Sequence, residues 1–385
     1  MTGSTALLLS LALVLPGPAL ADTADAAPPA PAPTTLPSVS VVATGPIPSP
    51  EQVMAIPPEL LALLHTRVIA PSLSREQRLQ RLITLIFDAQ GMNLGYDADA
   101  TLTVAETWQT RRANCLAFTL LFVSLAREAG IDAHVQEVNQ VVSWYQDQGV
   151  IYSVGHVNAG VNLGGRNAVV DLDRNVLYDR EGPKQITRER ALAHFYNNRG
   201  AARMAAGDLA LARAYFRQSL QMSPEFASGW NNLGVLDTRE GNLQAAVVDF
   251  KSALRYAPQH AAALSNASTL YTRMGDTRDA ERLSRRLALV HRRDPFVQYM
   301  LGADAEKKQD YALAIRYYKR AVNLYEEAHQ FHFGLARAYF MVGDTQHASE
   351  QMQRARALGG DALQSRYQAK LDSLNRWRLQ NVQAR

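Results

Sequence analysis

The chain has 385 residues, 47% of them apolar and 20% charged, a composition of folded globular protein with room for two domains rather than of a disordered tail. Lys and Arg number 40 against 36 Asp and Glu, a net charge of +4, and no block of five or six like charges occurs, which argues against a nucleic-acid partner. A single cysteine excludes an internal disulfide.

The first residues read as an export signal. Ala6 to Leu15 is a short apolar run, followed by Pro16-Gly17-Pro18 and by the small-x-small pattern Ala19-Leu20-Ala21. Residues 1–21 are too short an apolar segment to span a bilayer, and no later stretch of ~18 uncharged apolar residues exists. The expectation is an exported chain, periplasmic or secreted, with no transmembrane segment after processing. Residues 22–52 are rich in Pro and Ala, as in Ala27-Pro28-Pro29-Ala30-Pro31, and are expected to form a linker.

Order is expected from Ile56-Pro57-Pro58, with proline in a first helical turn and an apolar face at Leu60, Leu61, Leu63 and Leu64. Ser74, with Gln77 three residues on, predicts a capped helix carrying Leu79, Leu82, Ile83 and Ile86. A third helix is predicted from Cys115 to Ala129, stopped by Gly130. Beyond it the period shortens, and 132–139, 152–162 and 167–173 read as antiparallel strands joined at Asp147-Gln148-Gly149 and Gly164-Gly165. Helices followed by a small sheet make an α+β domain.

The chemistry-bearing residues fall on these elements. Cys115 opens a helix, where the dipole favours a thiolate; His156 lies on one strand and Asp171 on the next. That order suits acyl transfer, with the imidazole taking the thiol proton and the carboxylate orienting the ring. The backbone N–H of Cys115, with Gln109 or Trp108, is a candidate set of oxyanion donors. Asp173 shares a strand face with Asp171, but the apolar run ends on Asp171, which is preferred. His134 reads as structural, and Cys115 has a bland reading as a small buried hydrophobe. Neither Cys-x-x-Cys nor His-Glu-x-x-His occurs, so no metal site is expected. Gly160, Gly164 and Gly165 lack phosphate-loop spacing, and no cofactor is expected.

These residues resemble the transglutaminase-like superfamily, a papain-related fold. The likeness rests on Arg112-Ala113-Asn114-Cys115-Leu116, on the helix end Ala126-Arg127-Glu128-Ala129-Gly130, and on Gly155-His156-Val157 followed by Val170-Asp171. It covers about 75–180 and implies a papain/transglutaminase-like domain over 53–192 with Cys115, His156 and Asp171 catalytic. Members of the superfamily include crosslinking transferases, amidases, proteases and proteins that have lost activity, so the resemblance leaves the reaction open.

From about 193 a repeat of 34 residues takes over, with starts at Ala193, Ala227, Ala261, Pro295 and His329. Position eight holds Gly200, Gly234, Ser268, Gly302 and Ala336; position fifteen holds Gly207, Gly241, Gly275 and Gly343. Position twenty is Ala212, Ala246, Ala280, Ala314 and Ala348, and position twenty-four carries Phe216, Phe250 and Tyr318. Small residues allow paired helices to approach, and the aromatics are expected to fill the gap to the next pair. The pattern resembles tetratricopeptide repeats, helix–turn–helix units that stack into an all-α superhelix with a concave face. Five repeats are expected over 193–362, with a capping helix and tail at 363–385 (Leu363, Tyr367, Leu371, Leu374, Trp377).

Position six in the first three repeats is Asn198, Asn232 and Asn266. In such repeats this position tends to face the groove, where carboxamides can pair with an extended peptide, so these three are peptide-binding candidates. Two functions are expected from the whole. One is an exported cysteine hydrolase or acyltransferase acting on peptide or protein amides, with the repeats recruiting substrate or partner. The other is a non-catalytic interaction scaffold carrying a relic of the transglutaminase-like domain.

Overall fold

The structure is a computed structural model describing residues 46–138, 144–147, 150–153, 156–172, 182–359, 365, 367–370 and 372. The expected export signal, most of the expected linker, Asp173, and Leu363, Leu371, Leu374 and Trp377 of the expected capping helix lie outside the described residues. The chain divides into two compact units, 1–283 and 284–385.

The first unit opens with α1 (Pro50–Met54), which begins within the last residues of the stretch expected as linker and runs two residues past it. Its sequence explains the difference: Ser49 and Gln52 form a reciprocal capping box, Pro50 starts the helix, and Val53 is buried. Next come α2 (Pro58–Arg67) and α3 (Arg75–Phe87), the latter capped by the predicted Ser74–Gln77 pair. A two-residue strand β1 (Gly95–Tyr96) precedes α4 (Val104–Thr110), whose own capping box joins Thr103 and Glu106. Arg111 then adopts φ 57°, turning the chain into β2 (Arg112–Ala113), which pairs parallel with β1.

The central helix α5 (Cys115–Glu128) is buried on nearly every side and ends where Gly130 takes φ 72°. Five strands follow: β3 (Asp132–Val138), β4 (Trp144–Asp147), β5 (Val150–Ser153), β6 (His156–Leu163) and β7 (Arg166–Val170); β8 (Lys184–Gln185) comes last. The larger sheet has the order β7-β6-β3-β8 and is antiparallel throughout, while β4 and β5 pair as a separate hairpin. Gly164 and Gly165 (φ 60° and 90°) make the tight turn between β6 and β7.

Helix α6 (Arg188–Ala205) starts five residues before the expected repeat boundary, capped by Thr187. The extra turn has a tertiary cause. Arg190 donates two hydrogen bonds to Glu137 on β3 (3.1 and 3.2 Å), and His194 lies 3.4 Å from the same carboxylate. Burial opposes the charge on Glu137, but His194 and Arg190 together hold its pKa down at about 2. Farther along, Arg199 pairs with Glu106 of α4. The apolar core therefore runs unbroken from α5 and the sheet into Leu192, Phe195 and Tyr196, and on to Tyr215 of α7 (Leu209–Met222).

Helix pairs then recur: α8 (Ala227–Arg239) with α9 (Leu243–Tyr256), and α10 (Ala261–Arg273) with α11 (Thr277–Arg293). In the second unit α12 (Pro295–Lys307) pairs with α13 (Tyr311–Leu324), and α14 (His329–Met341) with α15 (Thr345–Leu358). Four first helices start on the predicted residues. The aromatics correct one expectation. Phe216, Phe250 and Tyr318 sit over the position-eight glycine of their own pair: a Cβ at Gly200, Gly234 or Gly302 would lie 2.6, 2.8 or 2.6 Å from the ring. Tyr318 also reaches the next pair, at 3.0 Å from a Cβ on Gly334. Tyr367 of the expected capping helix is buried against Ala336, Met352 and Ala355, and its hydroxyl is 2.7 Å from His329 Nδ1.

Candidate active site and repeat interface

Asn114 fixes the start of α5. Its Oδ1 accepts from the Ala117 N–H (2.9 Å) and its Nδ2 donates to Thr101 Oγ1 (2.7 Å), leaving Cys115 as the first helical residue. The thiol is thus set where the helix dipole favours negative charge. One turn later Thr119 Oγ1 donates to the Cys115 carbonyl (2.7 Å) and reaches the Val157 carbonyl at 3.4 Å, tying the helix to β6 beside His156.

Cys115 Sγ, a ring nitrogen of His156 and a carboxylate oxygen of Asp171 all lie within 4.8 Å of one another. Cys115 is 1% exposed and His156 3%. His156 Nε2 is 2.6 Å from Asp171 Oδ2, so the ring is oriented with Nε2–H toward the carboxylate and Nδ1 left to accept a proton. Strand β7 ends at Val170, one residue short of Asp171. The same Oδ2 accepts from Asn158 Nδ2 at 3.3 Å.

Asn158 and Thr119 are the two site residues that sequence reading misses. Asn158 follows His156 by two positions on a strand, so it shares the histidine's face, and that alternation is a usable signal. Thr119 follows Cys115 by one helical turn. Three such donors are also a metal-ligand set, but two atoms bound to one zinc at ~2.0–2.2 Å in tetrahedral array stand about 3.3 Å apart. The 2.6 Å His156–Asp171 contact is instead the length of a charge-assisted hydrogen bond.

Of the oxyanion candidates, Gln109 is exposed on the last turn of α4. Trp108 is half-buried with the Arg111 guanidinium 3.4 Å above its ring. His134 lies on β3 with Nε2 3.2 Å from Gln136 Nε2, and burial lowers its pKa.

The three position-six asparagines lie in one hydrogen-bonded ladder with two neighbours at position five. Asn197 Nδ2 donates to Asn198 Oδ1 (3.5 Å), and Asn232 Nδ2 donates to Asn197 Oδ1 (2.9 Å). Asn231 Nδ2 donates to Asn232 Oδ1 (3.1 Å), and Asn266 Nδ2 donates to Asn231 Oδ1 (3.0 Å). Asn232 is 0% exposed and Asn266 5%, while Asn198 is half-buried. The amides thus join α6, α8 and α10 to one another.

Beside the ladder, Arg213 of α7 donates to both Asp237 and Glu240 (2.6 Å each). Behind Asp237, burial and a shared hydrogen bond push the carboxyl of Asp249 up to about 8.

Comparison with known proteins addresses the repeat region. Family models of the tetratricopeptide repeat match residues 237–303 and residues 197–261 and 299–362. No curated protein matches the chain. Among solved structures, one similar chain is YrrB, described as a TPR protein with an unusual peptide-binding site; it is 15% identical over 46% of this chain and 92% of its own, at TM-score 0.25. MamA from Desulfovibrio magneticus RS-1, residues 41 to the end, is 19% identical over 44% of this chain and 97% of its own, at TM-score 0.25. The pilF protein of Pseudomonas aeruginosa is 16% identical over 50% and 88%, at TM-score 0.29. The helix pairs of the carboxy-terminal region are tetratricopeptide repeats.

Proposed function

We propose that this chain is a protein-binding scaffold whose amino-terminal domain is a transglutaminase-like cysteine centre acting on amides of a recruited peptide or protein. The repeats support the first half. The convergence of Cys115, His156 and Asp171 within 4.8 Å is the observation that supports the second.

In the catalytic reading His156 Nδ1 takes the thiol proton and the thiolate attacks an amide carbonyl. The Cys115 N–H and a donor from Gln109 or Trp108 meet the oxyanion. Asp171, held by Asn158, stabilises the imidazolium until its proton passes to the leaving amine. Water then releases the acyl group; hydrolysis is preferred to crosslinking, for which an acceptor-amine site would be required. The signal read in residues 1–21 would deliver the protein to the periplasm or the medium.

A second reading, a scaffold with a catalytically silent domain, is favoured by burial. With Cys115 and His156 1% and 3% exposed, a carbonyl needs an opened path to sulfur. Iodoacetamide labelling of Cys115 across pH separates the two. The enzyme reading expects labelling faster than in denatured protein, falling about 100-fold or more in His156→Ala. Labelling no faster than in denatured protein, and indifferent to His156, leaves the scaffold alone.

A further inference from the structure

Between α8 and α10 lies a cavity of about 170 Å³. Its floor is apolar, made by Val235, Leu270 and, from α9, Phe250. Asn266 also lines it, and here the amide ladder ends unevenly. In the first two repeats the position-six oxygen accepts from the asparagine just before it, Asn197 or Asn231. Ser265 stands there in the third repeat, and Asn266 Oδ1 is buried with no hydrogen-bond partner. A buried acceptor without a donor is costly, and a ligand that supplies one is stabilised by it.

The rim is cationic. Arg239 and Arg273 occupy the same repeat position in α8 and α10, both line the cavity, and both are exposed. Arg239 donates to the Met204 carbonyl at 3.1 Å. Arg273 makes no hydrogen bond or ion pair among the described residues. An apolar floor, one buried acceptor and two cations at the mouth select a ligand with an aliphatic group, a donor beside it and a negative charge within reach. A cavity of about 150 Å³ holds benzene, so an aliphatic side chain fits.

We propose that this cavity takes an aliphatic side chain from an extended segment of a partner protein. A backbone N–H of that segment donates to Asn266 Oδ1, and a neighbouring Asp or Glu carboxylate meets Arg239 and Arg273. The inference rests on the reading of the repeats as the recruiting module and names the chemistry of what they recruit.

The test is a selection of random displayed peptides on the full chain, followed by fluorescence anisotropy with an enriched peptide. Enriched sequences should place Asp or Glu within two residues of Leu, Ile or Val. Arg273→Glu, an exposed change, and Thr269→Trp, which fills the cavity, should each weaken binding about tenfold or more, and Lys251→Glu on α9 less than twofold. Sequences without the acidic–aliphatic pairing, no enrichment at all, binding indifferent to Arg273→Glu, or equal competition by a single-stranded oligonucleotide would overturn the proposal. If Thr269→Trp does not fold, Arg273→Glu decides. Iodoacetamide labelling of Cys115 in the same preparations keeps the readings apart: labelling without peptide binding sinks this site alone, and binding without labelling sinks only the catalytic reading.

Discussion

The repeats and the amino-terminal domain solve the same problem, placing buried polar groups, over very different sequence distances. In a repeat the decisive contacts are local: Gly234 meets Phe250 within one helix pair, and each asparagine rung joins adjacent pairs. In the amino-terminal domain Cys115, His156 and Asp171 come from a helix start, a strand start and the residue just beyond another strand. Short-range contacts repeat and so can be read as a period; long-range convergence has no period and shows only through the chemistry of its members.

The largest expected effect tests the local half. Gly234→Ala puts a Cβ 2.8 Å from the Phe250 ring and should cost about 2 kcal/mol by overpacking. Urea denaturation should show the loss while native-state labelling of Cys115 stays at the wild-type rate. A change in labelling would mean the two regions are not separable.

A smaller effect depends on pH. Burial, and then the hydrogen bond to Asp237, push the Asp249 carboxyl of the folded chain up to about 8, against ~4 when unfolded. Its contribution is therefore full below about pH 4 and is lost as pH rises through 8. Asn in its place can donate to Asp237 at every pH. Asp249→Asn should flatten the decline in unfolding free energy, read by urea denaturation, between pH 5 and 8, by on the order of 1–2 kcal/mol after screening. An unchanged slope would place the cause of the decline elsewhere.

The smallest effect exploits an exception to the repeat. Gln309 stands where the other four repeats have glycine and takes φ 61°. Gln309→Gly should gain about 0.5–1 kcal/mol, seen as a rise of a few degrees in Tm. No gain would mean the Gln309 side chain compensates for its backbone.

How much of this is legible in the sequence varies with the physics. The first residues of α8, α10, α12 and α14 are predictable because each sits at a fixed place in the 34-residue template. The start of α6 is not, because its first turn answers to Glu137 on a distant strand. Helix α4 escapes prediction although Thr103 and Glu106 form the same capping box that reveals α3 at Ser74 and Gln77. The asparagines at position six stand out for donors they could offer a ligand; their partners at position five, which share the ladder's hydrogen bonds, do not. The Cys115–His156–Asp171 set is found by residue type and order. Asn158 sits among apolar neighbours and is found only by carrying the strand alternation two residues on from His156.

Helix α6 carries a practical lesson for anyone dissecting this molecule. A fragment boundary chosen by repeat arithmetic, at residue 193, cuts through its second turn. The cut parts Arg190 from His194, which hold the Glu137 carboxylate together, and Ala191 and Leu192 from Phe195 and Tyr196 in the shared core. The first repeat is the wall against which the amino-terminal layers are built. A cut at Thr187 would keep the helix whole but still part Arg190 and His194 from Glu137, so the amino-terminal domain and α6 belong in one expressed piece.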